Sequence, residues 1–293
     1  MLAARRGFEP RRRRRREFTA LLFIRLTGAF TAGVMALVVG FIAFNGAGAI
    51  SVPFLTEYPR DAMTAGGILP AIEGTLILAL GALLTAVPLG FGAAVYLAEY
   101  ARPGPLVSVI RLGVLNLSGV PSVVFGLFGL ALFVKTFGFG RSILAGSLTL
   151  GLLILPTVVA ASEEALRQTP QSFREAALAL GASRWQAIRQ VVLPAALPGM
   201  LTGAILALGR AAGETAPIVF TASCAYTLAS PGSVFQEVMA LSTHILNLAT
   251  NGTRIEETLP QQFGTALVLL ALVLGLSLCA IIVRAKLRKG RRW

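Results

Sequence analysis

Two ionisable side chains interrupt an otherwise apolar run late in the chain, Arg210 and Glu214 in ALGRAAGETAPIVF. A charge inside a membrane-length segment is costly and marks function by default. Counting from Pro198 at 1.5 Å per residue places Arg210 at ~18 Å along a helix, near mid-membrane. Glu214 then falls one turn further on the same face, with Gly209 and Gly213 permitting a neighbouring helix to approach. Two chemistries fit. The pair could be an internal i,i+4 ion pair that balances two buried charges, although Arg before Glu is the weaker order. Alternatively, Arg210 could hold an oxyanion, because guanidinium presents paired donors that match phosphate or sulfate oxygens. Both readings stay open. Pro217 is expected to break the helix just beyond, as backbone lining a cavity can.

A third stretch, LNLSGVPSVVFG, adds Asn116, Ser118, Pro121 and Ser122. Its hydroxyls could line a polar path. They could equally be interhelical hydrogen-bond glue in a seam of small residues made by Gly119, Gly126 and Gly129. Other chemistry finds no support. Cys224 and Cys279 are the only cysteines and lack any Cys/His ligand spacing, so neither a disulfide framework nor a metal site is expected. His244, the sole histidine, reads as a surface or packing residue. No GxxxxGK[ST], GxSxG or HExxH string occurs, so the chain itself is expected to be non-catalytic and to bind no cofactor.

The elements that position these residues are apolar runs. The chain is 55% hydrophobic and 13% charged, with mean hydropathy +0.76. A soluble domain could not hide so much apolar surface. Runs at about 20–44, 68–98, 107–134, 142–161, 195–222 and 263–283 predict an all-α integral membrane fold of six spans. Each is expected to be a helix, since lipid offers backbone groups no partner; the alternation of a β-barrel is absent. The expected division is a basic extension over 1–19, a first span over 20–44, a core of five spans over 68–283 and a basic tail over 284–293.

Orientation follows charge. Arg5, Arg6, Arg11–Arg16 and the tail Arg284, Lys286, Arg288, Lys289, Arg291 and Arg292 put both termini in the cytoplasm. Arg102, Arg111, Arg167, Arg174, Arg184 and Arg189 fall in loops on that side. The opposite loops hold Arg60, Lys135, Arg141 and Arg254 beside Glu57, Asp61, Glu237, Glu256 and Glu257. The net charge of +13 raises nucleic acid as a partner. The Arg run abuts the first span without aromatic interleaving, so topology anchoring and affinity for anionic membrane lipid explain it instead. Arg15-Arg16-Glu17-Phe18 superficially resembles a twin-arginine signal, but the apolar run that follows is too long for one.

Between the fourth and fifth runs, the 162–194 segment is amphipathic. Ser172 and Glu175 have the spacing of a capping box, followed by Phe173, Ala176, Ala177 and Leu180 as one apolar face. Gly181 stands where a left-handed helix cap belongs. Ser183 and Gln186 form a second box, with Trp185, Ile188 and Val192 on the apolar side of a second helix. The expected object is a knob of two short helices; a helix lying on the lipid surface is the bland alternative. In the 223–262 segment, Val234, Val238, Leu241, Ile245 and Leu248 predict a helix on the outer surface or against a partner.

EAALALGASRWQAIRQVVLP has the form EAA, three residues, Gly, nine residues, a β-branched residue, one residue, Leu-Pro. This resembles the EAA loop of ABC-importer permeases, with Val191 where Ile is usual. The strings GGILPAIEGTLIL, AAVYLAEYA, GVPSVVFGLFGLALF and GRAAGETAPIVFTA are similar to the phosphate-importer permeases of the PstA family, from about residue 53 to the last span. The resemblance implies a type I ABC-importer permease bundle in a bacterial inner membrane, importing inorganic phosphate. Glu175, Ala176, Ala177, Gly181, Val191, Leu193 and Pro194 would meet an ATPase. Arg210 and Glu214 would match the family's intramembrane pair; Ser118 and Ser122 are candidates for the same path from their hydroxyls alone. Implied partners are a second, PstC-like permease, a PstB-like ATPase dimer that binds the ATP, and an extracytoplasmic PstS-like phosphate-binding protein. A permease for sulfate or molybdate, or a membrane scaffold signalling phosphate status, is the alternative.

Overall fold

The computed structural model describes residues 11–63, 65–227, 229–250 and 255–289. Arg5, Arg6, Asn251, Arg254, Arg291 and Arg292 lie outside the described residues. The described chain is a helical bundle. A long first helix α1 (Arg11–Gly46) is followed by the short α2 (Val52–Thr56), whose amide of Phe54 donates to the Ser51 hydroxyl, and by the hairpin β1 (Pro59–Arg60) with β2 (Ala65–Gly66). Then come α3 (Leu69–Val95), α4 (Pro105–Ser118), α5 (Ser122–Gly129), α6 (Ile143–Arg167), α7 (Gln171–Ala179) and α8 (Arg184–Ala187). The last four are α9 (Leu193–Gly213), α10 (Ala216–Thr221), α11 (Leu241–Thr250) and α12 (Ile255–Lys289). Among the described residues, five helices are long and apolar enough to cross a membrane, and the bent pair α4–α5 makes a sixth if it is taken as one span.

The third span is broken at its proline. Its halves, Pro105–Ser118 and Ser122–Thr136, meet at 102°. Pro121 has no amide proton and pushes Val120 out of the helical region, so α4 must end before it. The amides of Gly119 and Val120 turn back to the carbonyls of Asn116 and Leu117 to close that end.

Helix α6 is the axis of the bundle. It packs most extensively on α3 and next on α9, while α12 covers α9 and α1 lies on α12. The α3–α6 seam is built from small and branched residues: Ala82 and Ala86 of α3 are buried against Leu150, Ile154 and Val158 of α6. Without a hydrophobic drive between helices in lipid, such close van der Waals fit supplies the association energy.

The 223–262 segment differs from the expectation. Residues 234–240 are not helical, because their carbonyls are used elsewhere. The amides of Ile143 and Leu144, which open α6 and lack intrahelical acceptors, donate to Gln236 and Val234 oxygens at 2.9 Å each. The helix begins at Leu241, and α11 packs on α12 and α3 instead of lying on the surface. His244 is buried, and that burial lowers its imidazole to about 4, leaving a neutral packing residue.

Gly74 of α3 marks the tightest approach of this segment. A Cβ there would collide with the Met239 carbonyl oxygen and the Val238 side chain. Gly74→Ala is therefore expected to lower stability by roughly 1–3 kcal/mol. Gly33→Ala on α1, with nothing within 4 Å, is expected to be neutral or stabilising by up to ~1 kcal/mol. Thermal unfolding of the detergent-solubilised protein checks both; equal midpoints for the two variants would refute the packing argument.

Candidate functional site

The break between α9 and α10 carries the charged pair. Arg210 is in the last turn of α9, and Glu214 follows it as the cap residue with extended backbone (φ −71°, ψ 143°). The helix thus ends at Gly213, before the position the sequence suggested. Pro217 is not the breaking point but sits in the first turn of α10, where its missing amide costs nothing. Inside a continuous helix its ring would clash with the Gly213 carbonyl, so the chain must leave helical geometry beforehand. Gly209 faces Val273 and Ser277 of α12, whereas Gly213 has no described neighbour within 4 Å, so no described helix of this chain packs on it.

Arg210 Nε donates to Glu214 Oε1 across a long 3.4 Å, and the Glu214 carboxylate is the more buried partner. The two terminal guanidinium nitrogens have no acceptor among the described residues. The arrangement pairs the charges loosely and leaves a two-nitrogen edge open, the form that accepts an oxyanion. The Ser242 hydroxyl of α11 donates to the Glu214 carbonyl at 2.7 Å, satisfying an oxygen that the helix break left bare.

The third-span hydroxyls are placed unequally. Ser118 is exposed, with its hydroxyl turned back onto the Val114 carbonyl. Ser122 opens α5, one turn before Gly126, whose backbone abuts Pro217 and the Ala216 carbonyl. The kink of the third span and the break of the fifth are therefore neighbours, although the structure places no direct contact between either serine and Arg210.

At the opposite end of α6 lies the 162–194 loop. Gly181 has φ +83° and no atom within 4 Å of where a Cβ would stand, so backbone conformation alone selects glycine. Ser183 and Gln186 form the expected reciprocal capping box. Ser172 and Glu175 do not: Pro170 is the N-cap of α7, which puts Ser172 inside the first turn where its side chain cannot cap. The expected apolar face is also narrower. Ala177 is buried, but Leu180 is 90% exposed, and Leu178 and Trp185 are open beside it. Glu175 and Ala176 are exposed as well, while Val191, Leu193 and Pro194 are half-buried. The second helix is not short. It runs through a wide π-turn at Ile188–Val192 into α9, and that turn accommodates Pro194, whose lacking amide would break a regular ladder.

Glu99, at the end of the π-turn Tyr96–Tyr100 that extends α3, anchors this loop, and sequence reasoning missed it. Its buried carboxylate receives Arg174 NH2 at 2.6 Å and Nε at 3.2 Å. Arg174 also donates to the Leu166 carbonyl in the last turn of α6 at 2.9 Å and to the Thr169 carbonyl just beyond that helix at 2.6 Å. Arg184 reaches the Glu99 carbonyl and stacks 5.2 Å above the Tyr100 ring. Removing one member of such a buried pair costs about 3–5 kcal/mol. The available signal was a carboxylate in AAVYLAEYA at the end of an apolar run, with one arginine directly before the EAA string. Nearby, Glu163 Oε1 accepts from both Arg111 (2.9 Å) and Arg167 (2.7 Å), in a cleft of about 330 Å³ between α4 and α6.

Comparison with known proteins decides the class. Residues 86–293 match the family described as binding-protein-dependent transport system inner membrane component. The chain belongs to that family. A probable ABC transporter permease protein, YqgI of Bacillus subtilis, is 36% identical over 251 residues, covering 81% of this chain and 85% of the relative. The phosphate transport system permease protein PstA of Mycobacterium leprae is 40% identical over 214 residues, covering 73% and 69%. Among solved structures, an inward-facing MetNI methionine ABC transporter chain superposes with TM-score 0.62 at 19% identity, over 75% of this chain and 95% of that one. A bacterial alginate ABC transporter chain gives 0.64 at 16%, over 90% and 93%. The expected importer-permease bundle is thus the fold found.

For this permease, Gly181→Val places a β-branched residue at positive φ and is expected to lower stability by about 1–2 kcal/mol. Gly181→Asn, which tolerates that region, is expected to cost clearly less. Thermal midpoints of the purified variants test this, and a Val variant no less stable than the Asn one would refute the turn argument.

Proposed function

We propose that this permease forms half of the path of an ATP-driven importer of inorganic phosphate, and that Arg210 handles the anion. The observation that carries the reading is the open two-nitrogen edge of Arg210 at a helix break. Relatives named for phosphate transport, spanning most of the chain, supply the substrate. Glu214 holds the guanidinium loosely enough to be displaced by the ligand, and Ser118 and Ser122 border the same path.

The exposed Leu178, Leu180 and Trp185, with Glu175, Arg184 and Arg189 around them, form the surface on which an ATPase dimer docks. ATP closes that dimer, the 162–194 loop moves with it, and this chain and a second permease open outward to receive phosphate from a binding protein. Hydrolysis returns the pair to face inward. The chain itself supplies no ATP site and needs no cofactor. In this reading both termini and the 162–194 loop face the cytoplasm, and the 223–262 segment faces out. Single cysteines at Ser183 and Gly232 in a cysteine-free background test the orientation. An impermeant thiol reagent is expected to label Gly232→Cys in intact cells and to spare Ser183→Cys; the reverse pattern would remove the ATPase contact.

Arg210→Lys keeps the charge and loses the planar fork. Phosphate uptake is expected to fall at least ~10-fold while the complex still assembles. Arg210→Ala is expected to abolish uptake. The double change Arg210→Ala, Glu214→Ala separates the two roles of the pair. An anion site predicts that the double variant assembles normally and carries no phosphate. Recovery of uptake in the double variant would leave Arg210 a packing residue. Competition by sulfate or molybdate in the parent importer distinguishes phosphate from the other oxyanions.

A further inference from the structure

Helix α3 joins the two candidate sites, although no residue of it belongs to either. At one end, the Glu99 carboxylate takes a two-nitrogen contact from Arg174, the residue directly before Glu175. Both side chains are largely shielded, at 7% and 17% exposure for Glu99 and Arg174, so a shift of α7 against α3 separates charges that water screens only weakly. From Glu99 the helix runs without interruption back to Leu69. At 1.5 Å per residue, Thr75 lies about 36 Å away, at the other end of the bundle.

There, the Thr75 hydroxyl donates to the Ala71 carbonyl at 2.7 Å and accepts the Leu241 amide at 2.9 Å. Leu241 opens α11 and is fully buried, so this amide has no water to replace Thr75. The next residue, Ser242, donates to the Glu214 carbonyl. Three contacts therefore link the EAA loop to the Arg210–Glu214 break through the length of α3 and the first two residues of α11. The route through α9 is likewise one continuous helix over Arg184–Gly213, with a π-turn at Ile188–Val192 as α3 has one at Tyr96–Tyr100, so α3 is a second route between the same ends.

We propose that α3 is the transmission rod of this permease: Arg174–Glu99 drives it, and Thr75–Leu241 and Ser242–Glu214 deliver its displacement to the helix break that holds Arg210. The proposal rests on the ATPase-docking reading above. Glu99, Thr75 and Ser242 are positioning residues that touch no transported ion. Sector-like linkage of this kind needs a coupling measurement and not spatial continuity alone.

The test uses the assembled complex of both permeases and the ATPase dimer. Amide hydrogen exchange over 241–250 is compared with and without ATP, using an ATPase variant that binds ATP and does not hydrolyse it. The parent complex is expected to change protection in α11 on binding ATP. In Glu99→Gln and in Thr75→Val that change is expected to shrink at least about fivefold, and Thr75→Ser is expected to restore it. Combining Glu99→Gln with Thr75→Val is expected to add nothing beyond the larger single effect, since both cut one route. A full ATP response of α11 in Thr75→Val, additive losses in the double variant, or no response in the parent would each overturn the proposal. Should Glu99→Gln fail to assemble, Thr75→Val, remote from the loop and nearly isosteric, carries the test alone. The readout depends on ATP and not on the transported ion. A complex that imports another oxyanion overturns the phosphate reading and leaves this result standing.

Discussion

The close fit of α3 against α6 is the constraint from which the other placements follow. Helices in lipid gain nothing by hiding apolar surface from one another, so only intimate packing holds them. The seam achieves that with Ala82, Ala86 and Gly81, which abuts Ser147, on α3, and with Gly151, which abuts Thr85, on α6. With α3 and α6 locked, α9 is seated on α6 through Gly199 against Ala165 and Gly203 against Ala161. The 223–240 stretch is then held at one end of α6 and the 162–194 loop at the other. Both candidate sites are thus attached to the most extensively packed pair of described helices.

Against that rigid frame, the irregular backbone is confined to places where protein supplies the missing partners. Three segments leave helical geometry within or beside the apolar spans: the α4–α5 bend, the α9–α10 break and the 223–240 stretch. In lipid an unsatisfied amide or carbonyl costs several kcal/mol. Here the carbonyls of 234 and 236 cap α6, and the Ser242 hydroxyl caps the carbonyl of Glu214. Arg141 donates to the carbonyls of Val219 and Ser223 at the end of α10. Around Arg210 each irregularity therefore answers another.

The spans, the Gly181 turn and the second capping box were legible in the sequence because each rests on local physics: apolar length, positive φ and a side chain three residues from its partner. What was misread depends on tertiary contacts or on proline displacing a nearby rule. The Ser172–Glu175 box has the right spacing, but Pro170 starts the helix two residues early. The run from Val234 to Leu248 has helical periodicity, yet its first half is drawn straight by the open amides of α6, a demand located some ninety residues upstream. Leu180 fits an apolar stripe by spacing and is nonetheless exposed, because the chain offers it no facing element. Glu99 was invisible for the opposite reason: its importance lies wholly in Arg174, 75 positions away.

The distribution of ion pairs follows the same division between rigid frame and working parts. At the loop end, Arg174–Glu99 and Arg111–Glu163 are short, at 2.6 and 2.9 Å, and bind helices that must move as one body. At the helix break, Arg210 and Glu214 are 3.4 Å apart, with most of the guanidinium unengaged. A tight pair there would satisfy both charges permanently and leave nothing for a ligand to gain by displacing one of them. A loose pair keeps the arginine neutralised on average while an incoming anion can still offer better geometry. Strong pairing where force is transmitted and weak pairing where a ligand must compete are one physical requirement applied to two places.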